Sequence, residues 1–143
     1  MIHLIDHLIL FSPTLEEGMD YVEERLGVRP MVGGRHPNLG THNALLCIGG
    51  ELGADCYLEV MAPDPSNPNP ADPADLGLGP LEEPRLLTWV LRAEDIEERA
   101  AAAEGIGLGE VVEGHRDNPD GSRVSWRITE PFAFPLQGTV PFL

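Results

Sequence analysis

The stretch IDHLILFSPTLEE at residues 5–17 is repeated without a gap by LLTWVLRAEDIEE at residues 86–98. Each copy reads as an apolar strand that runs into a capped amphipathic helix. Self-similarity at a fixed offset indicates a duplicated structural unit, in which each copy needs the other to bury its apolar face. The repeat therefore predicts two small α+β modules that pair into one domain.

Module one is expected over residues 1–62. Residues 4–11 read as a strand, and the helix that follows carries one apolar stripe and ends at Gly27. Residues 28–43 are polar and rich in glycine, which predicts an irregular loop. Strands then follow at 44–48 and 56–61, so that the module reads as βαβββ.

The segment 63–85 separates the modules. It holds seven prolines, and because proline lacks a backbone N–H and breaks helices, neither a helix nor an interior strand is expected there. Module two is expected over residues 86–143. Its predicted elements are a strand at 86–92, a helix at about 95–104, strands near 110–115 and 122–129, and a last strand from near Thr139. Alignment of the two last strands puts the counterpart of Glu59 at position 144, so the last strand is expected to be truncated.

Composition limits the partners of the chain. At 143 residues it is long enough for one domain, 1–143, with a core that needs no disulfide or metal to fold. Nine arginines, no lysine and 24 acidic residues give a net charge of −15, which repels both nucleic acid and anionic membranes. The first residues lack a basic region followed by a long apolar run, and no stretch approaches 18 uninterrupted apolar residues, so neither a signal peptide nor a membrane span is expected. We expect a cytoplasmic protein with a small-molecule ligand, and a homodimer is left open.

Strand alternation places His7 on the same face of its strand as Ile5 and Ile9, and Glu59 on the same face as Tyr57 and Met61. If both faces look into the concavity of a curled sheet, His7 and Glu59 form a pair of metal ligands. The alternative is a core histidine bonded to a backbone carbonyl and a glutamate at the rim. Two ligands are fewer than the three that a catalytic metal usually takes.

The chain resembles the vicinal oxygen chelate superfamily, which includes glyoxalase I, extradiol dioxygenases and bleomycin-resistance proteins. The resemblance rests on the leading Asp6-His7 strand, the βαβββ duplication and the strand Tyr57-Leu58-Glu59. A narrower similarity is to the glyoxalase-like domain branch. The motifs that carry it are Gly33-Gly34-Arg35-His36-Pro37, Gly40-Thr41-x-Asn43-x-Leu45 and Tyr57-Leu58-Glu59. The resemblance implies two βαβββ units in a curled mixed sheet around a cleft.

In the metalloenzymes of this superfamily, ligands come from the first and fourth strands of each unit. The resemblance therefore implies that His7 and Glu59 are metal ligands, for a divalent ion such as Zn, Fe, Mn, Ni or Mg. Thr88 stands at the first-strand position of module two, where a hydroxyl is a poor ligand for a transition metal. We therefore expect any ion to be bound weakly or to be absent from this 143-residue chain.

The segment from Gly33 to Asn43 is a second candidate site. Its two adjacent glycines allow close approach to a ligand, an arginine offers a rigid fork of donors, and two histidines can act as acid, base or ligand. The predicted substrate-binding residues here are Arg35, His36, Thr41, His42 and Asn43. The alternative is a surface loop whose histidines face water.

The strand around Trp126 alternates between an apolar face and a face that carries Arg123 and Arg127. If the arginine face lines the cleft, it selects a carboxylate or phosphate on the substrate. If it faces solvent, it is only a solvated edge. We include both arginines among the candidate substrate-binding residues.

The leading functional hypothesis is a metal-dependent enzyme of lyase, isomerase or dioxygenase type that acts on a substrate with vicinal oxygens. The alternative is a metal-free ligand-binding or drug-sequestering protein of bleomycin-resistance type, in which Arg35 or Trp126 holds the ligand. A third reading is a regulatory or interaction module. The fold implied by the resemblance supports many activities, so it does not choose among them.

Overall fold

A computed structural model describes residues 5–49, 56–103, 105–130 and 138–143. Two helices and seven strands are present in these ranges. Their order along the chain is β1 (Ile5–Phe11), α1 (Leu15–Leu26), β2 (Met31–His36), β3 (Thr41–Cys47), β4 (Tyr57–Pro63), β5 (Arg85–Leu91), α2 (Ile96–Ala102), β6 (Val111–Asp117) and β7 (Arg123–Thr129).

The seven strands form one mixed sheet in the order β5-β1-β4-β3-β2-β6-β7. β1 pairs parallel with β4 and antiparallel with β5, so the first strands of the two repeats lie side by side. The segment at 142–143 contacts both ends of the sheet: Phe142 hydrogen-bonds β5, and the carbonyl of Leu143 accepts from Thr129 at the end of β7. The sheet is therefore strongly curled, and the predicted α+β class with a curled mixed sheet is confirmed.

The two faces of β1 pack into two separate apolar clusters, because successive side chains of a strand point to opposite sides. Leu10 joins the convex cluster, in which α1 covers β3 and β4 through Met19 and Val22. Ile9 and Phe11 join the concave cluster. Its other buried members come from the crossover, β5 and the C-terminal segment: Leu76, Leu78, Leu87, Val90 and Phe142. The concave cluster forms the floor on which the functional site is built.

The helices are short. α1 has 12 residues and begins after Thr14, whose hydroxyl accepts a hydrogen bond from the Glu17 backbone at 3.2 Å, while Gly27 ends it in a left-handed conformation. α2 has 7 residues, fewer than the repeat predicts. No helix in the described ranges is long and apolar enough to cross a membrane.

The prediction of an irregular loop over residues 28–43 was wrong. Most of this segment forms β2 and the start of β3, with only a turn at 37–40 between them. Its glycines weaken strand propensity, but β2 is hydrogen-bonded to β3 and meets β6 at Arg35 and Asp117. Pairing with neighbouring strands decides strand formation here, because strand propensity depends strongly on context.

Candidate functional site

A cavity of about 390 Å³ lies on the concave side of the sheet. Strands from both repeats line it, so neither repeat alone would form it. Its walls are largely apolar and include Ile9, Met61, Leu87 and Ile128. Its polar groups include the side chains of His7, Glu59, His36, Asn43 and Arg116. A largely apolar cavity with a few polar groups is typical of a small-molecule site.

His7 on β1 and Glu59 on β4 face each other in this cavity, as strand alternation predicts. His7 Nε2 lies 3.3 Å from Glu59 Oε2, and the two side chains are 12% and 8% exposed. The ring of Tyr57 stacks on the imidazole with centroids 4.6 Å apart. Neither alternative from the sequence holds, because His7 contacts two carboxylates and Glu59 is buried.

Asp6 holds the other side of the His7 ring. Its Oδ1 lies 2.7 Å from His7 Nδ1, and its Oδ2 accepts bonds of 3.0 and 2.9 Å from the Arg92 guanidinium. Strict alternation would turn Asp6 to the opposite face, but the β1–β5 pairing is irregular between Ile5 and His7. Such a bulge re-aims one side chain.

These contacts define which nitrogen of the His7 ring faces Asp6 and which faces Glu59. The hydrogen bond from His7 is the largest cause of a lowered Asp6 pKa, with Arg92 adding to it, so Asp6 is ionised and His7 Nδ1 is the donor. The Asn43 amide donates to Glu59 Oε1 at 2.7 Å. His7 Nε2 therefore faces Glu59 Oε2 at 3.3 Å, and a proton on either atom can be shared between them. The pair can accept or deliver a proton at that position.

Asn43 connects Glu59 to His36. Its carbonyl accepts the Gly34 N–H at 2.8 Å, which fixes the orientation of the amide and turns its NH₂ group towards Glu59 and His36 Nε2. His36 Nδ1 then donates to the Thr41 hydroxyl at 2.9 Å. Burial is the largest cause of a lowered His36 pKa, so this imidazole is neutral at pH 7.

The two adjacent glycines of β2 make room for side chains rather than for a ligand. A Cβ on Gly33 would lie 2.3 Å from the Asn43 Oδ1 atom, and one on Gly34 would lie 2.6 Å from Arg116 Cγ. Both distances are far below van der Waals contact. The motif therefore allows Asn43 and Arg116 to pack against the β2 backbone.

Arg35 and His42 do not reach the cavity. They are cross-strand neighbours on the convex face, opposite to His36, Thr41 and Asn43. Arg35 pairs with Asp64 and donates to the Ser66 hydroxyl at 2.6 Å. The strands of segment 33–43 thus contribute alternate residues to the site, and the turn between them adds Asn38 and Leu39.

The Asp64 carboxyl is expected to contribute to stability in a pH-dependent way. Burial alone would raise its pKa, but hydrogen bonds from Arg35 and Ser66 outweigh burial and lower the pKa to about 2. A carboxyl with a depressed pKa stabilises the fold above its unfolded pKa of about 4 and loses that effect as the pH falls through the folded value. Asp64→Asn should reduce the free energy of unfolding by about 1–2 kcal/mol at pH 7 and by much less near pH 2.

Urea unfolding at both pH values measures this difference. Asp75→Asn is the matched control, since Asp75 is exposed in the same crossover segment. An equal loss for Asp64→Asn at both pH values would contradict the assignment to charge.

Arg123 and Arg127 lie on the side of β7 that faces away from Trp126, and both carry carboxylate partners. Arg123 pairs with Asp117 at 2.6 Å, and the Arg127 guanidinium pairs with Glu97 on α2. Arg127 touches the edge of the cavity, but its charge is directed to the helix. The apolar face, with Val124, Trp126 and Ile128, is the one that lines the cavity.

Thr88 lies near the cavity floor and is 2% exposed. Its hydroxyl donates to the backbone carbonyl of Gly138 at 3.3 Å. This bond ties the C-terminal segment to β5. Thr88 therefore acts in the structure as a link between chain segments.

Sequence reasoning missed three polar residues of the site. Strand alternation puts Asp6 on the face opposite to His7, Tyr57 was given no role beyond its place beside Glu59 and in a motif, and Arg116 was not considered. Only Tyr57 carried a usable signal, since it lies two residues before Glu59 on the same face of β4. Asp6 depends on a bulge, and Arg116 depends on the meeting of β2 with β6.

Comparison with known proteins supports the fold. A hypothetical protein from Staphylococcus aureus superposes with a TM-score of 0.63 at 20% identity, over 89% of this chain and 52% of its own. This chain thus spans about half the length of that protein. A Streptomyces coelicolor methylmalonyl-CoA epimerase in complex with 2-nitronate-propionyl-CoA gives 0.59 at 18% identity, over 93% and 91% of the two chains. The Mycobacterium tuberculosis methylmalonyl-CoA epimerase gives 0.52 at 17%, over 90% and 79%.

These identities are low, so the superpositions establish the fold and not the activity. No curated protein matches the sequence. The family model described as glyoxalase-like domain matches residues 5–143. It covers both repeats, the crossover and every side chain of the His7–Glu59 site, and the chain belongs to the glyoxalase-like domain family.

Proposed function

We propose that this protein is an enzyme that moves a proton on a small molecule with vicinal oxygens, and that His7 and Glu59 are the reacting groups. The observation that carries the proposal is the 3.3 Å approach of His7 Nε2 to Glu59 Oε2 in a largely apolar cavity. Desolvated acid–base pairs of this kind are typical of catalytic sites.

Abstraction of a proton from a carbon next to a carbonyl is the step that this arrangement favours. When His7 Nε2 carries a proton and Glu59 is ionised, Glu59 Oε2 can take the carbon-bound proton while the His7 N–H donates a hydrogen bond to the developing enolate oxygen. Asn43 and Asp6 hold the two side chains in position. Return of the proton to the same or a neighbouring atom gives an isomerase, and loss of a leaving group gives a lyase.

A divalent metal, if it were bound, would polarise the vicinal oxygens of the substrate. The question is whether the side chains of the cavity fit such an ion. His7 Nε2 and Glu59 Oε2 are two good ligand atoms, but His36 Nε2 lies 3.7 Å from the other Glu59 oxygen and faces the Asn43 amide. The Thr88 hydroxyl is bonded to Gly138. Across the described ranges, no group of three or more His, Cys, Asp or Glu is arranged to hold an ion. These residues do not complete a catalytic metal site, and the mechanism has no step through one.

Metal binding should therefore be weak and should strengthen with pH. An ion can bind His7 Nε2 and Glu59 Oε2 only when neither atom carries a proton, so the metal competes with protons for the site. Zn²⁺ titration calorimetry between pH 6 and 8 measures this, and elemental analysis after dialysis should find well below one ion per chain. A stoichiometric ion that resists dialysis and is lost in His7→Ala would contradict the expectation.

The activity itself can be tested by deuterium exchange. The protein is incubated in D₂O with a panel of 2-oxo acids, 2-hydroxy acids and acyl thioesters, and loss of the α-proton signal is followed by NMR. Thioesters are included because the neighbouring epimerases are named for coenzyme A esters. Protein-dependent exchange supports the proposal. Absence of exchange with every compound that binds would refute it.

A second candidate function is metal-free ligand binding without turnover, of the bleomycin-resistance type. The edge of the Trp126 ring approaches His36 with centroids 5.9 Å apart, and the apolar walls could hold a ligand by burial alone. The two functions separate in the same assay. A pure binding protein is stabilised by ligands, exchanges no proton, and binds equally well after Glu59→Gln.

A further inference from the structure

We propose that Arg116 is a carboxylate-binding residue and that the substrate is a small organic acid. This inference rests on the proposed function of the His7–Glu59 pair and adds the class of molecule that the cavity takes. The carboxylate would bind the Arg116 guanidinium, while the rest of the molecule extends along the apolar wall to His7 and Glu59. In the described parts of the chain, three arginines line the cavity: Arg92, Arg116 and Arg127. Arg92 is held in the ion pair with Asp6, which leaves Arg116 and Arg127.

Arg116 lies on the cavity face of β6. In the β6–β7 ladder, Arg116 lies opposite Val124, and Gly114 lies opposite Trp126. Val124 and Trp126 line the cavity. The Arg116 stem lies across Gly34, where a Cβ would come within 2.6 Å of it. Only a glycine at this point of β2 leaves room for the arginine.

Arg116 contacts no carboxylate among the residues that the structure describes. The chain has 24 acidic residues and nine arginines, so carboxylates outnumber guanidinium groups. Seven arginines contact one within the described ranges: Arg25, Arg29, Arg35, Arg92, Arg99, Arg123 and Arg127. The other two are Arg85, which is exposed on β5 and lies outside the cavity, and Arg116.

A hydrogen bond at Nε fixes the orientation of the Arg116 guanidinium. Its Nε atom donates to Asn118 Oδ1 at 3.1 Å, and the Asn118 NH₂ group donates to the Ser122 hydroxyl at 3.0 Å. The terminal amino groups of Arg116 have no acceptor among the described residues. A guanidinium held at Nε presents these two groups side by side, which is the geometry that binds both oxygens of one carboxylate.

The charge of Arg116 also reaches the reacting end of the cavity. Burial is the main cause of the lowered His36 pKa and of the raised Tyr57 pKa, and the positive charge of Arg116 lowers the pKa of both groups. Arg116 thus lies close enough to act on groups that contact His7 and Glu59.

Binding is tested with matched acids and amides, without turnover. The probe pair is 4-methyl-2-oxopentanoate and its amide, which share an apolar body and vicinal oxygens and differ in charge. A series of further monocarboxylates and inorganic phosphate are measured alongside by calorimetry and thermal shift. We expect the acids to bind wild type more tightly than their amides. Arg116→Gln should weaken acid binding roughly 10- to 100-fold and leave the amide unaffected.

Two variants complete the test. Arg85→Gln is the matched control and should bind the acid as wild type does. Arg116→Lys should retain part of the affinity, because it keeps the charge and loses the fork. Acids that bind no better than amides, or an Arg116→Gln variant with unchanged acid affinity, would overturn the proposal. Phosphate binding at Arg116 without acid binding would overturn the carboxylate assignment. These outcomes do not depend on whether Glu59 acts as a base.

Discussion

Replacement of Glu59 by glutamine should lower proton exchange by about 10²- to 10⁴-fold, the range that a positioned general base contributes. Glutamine keeps the volume of the side chain, and its carbonyl can still accept the bond that Asn43 donates to Oε1. It cannot take a proton from carbon. The expected loss therefore falls on the rate of exchange and not on ligand binding.

Exchange rates by NMR and ligand affinities by calorimetry measure the two quantities separately. Glu83→Gln is the matched control, since Glu83 is exposed in the crossover segment and should leave both unchanged. A Glu59→Gln variant that exchanges protons at the wild-type rate would remove Glu59 from the mechanism. In that case the ligand-binding function would be preferred.

Replacement of Asn43 by leucine should lower the free energy of unfolding by about 2–6 kcal/mol. Leucine has a similar shape, so little packing is lost, but the Gly34 N–H and Glu59 Oε1 both lose their partner. Each buried group left without a hydrogen bond costs about 1–3 kcal/mol, and a charged group costs more. Asn43 is only 1% exposed, so water cannot easily replace the missing bonds.

Urea unfolding of the single variants and of the Asn43→Leu/Glu59→Gln double variant separates the two contributions. If the unpaired carboxylate causes much of the loss, the double variant should lose less free energy of unfolding than the sum of the losses of the two single variants. Strict additivity would show instead that Asn43 and Glu59 are not coupled. A loss below about 1 kcal/mol for Asn43→Leu would mean that the network is not tightly held.

The architecture and one pair of site residues could be predicted from local patterns. The repeat at residues 5–17 and 86–98 predicted two strand-helix units, and β1, α1, β5 and α2 are found there. The period of two along a strand put His7 and Glu59 on faces that meet in the cavity. Both inferences need only the side-chain direction within one element, which the sequence determines directly.

The remainder of the site depends on which strands are neighbours in the sheet and on where their pairing is irregular. The sequence suggested arginines for an anionic ligand, but it could not say which face of β7 is concave, and Arg123 and Arg127 turned out to pair with acidic residues. Arg116 faces the cavity because β6 lies beside β2 at Gly34. Asp6 reaches His7 because the β1–β5 pairing is irregular.

By itself, the sequence determined that this chain folds as a duplicated α+β unit and that His7 and Glu59 can share one face of a sheet. The tertiary structure decided that Asn43, His36 and Arg116 join them, and that Arg35 and His42 do not. The physical reason is that alternation along a strand divides the side chains between two faces but does not indicate which face will be enclosed. Only the curl of the sheet and its packing against α1 decide which face encloses the cavity.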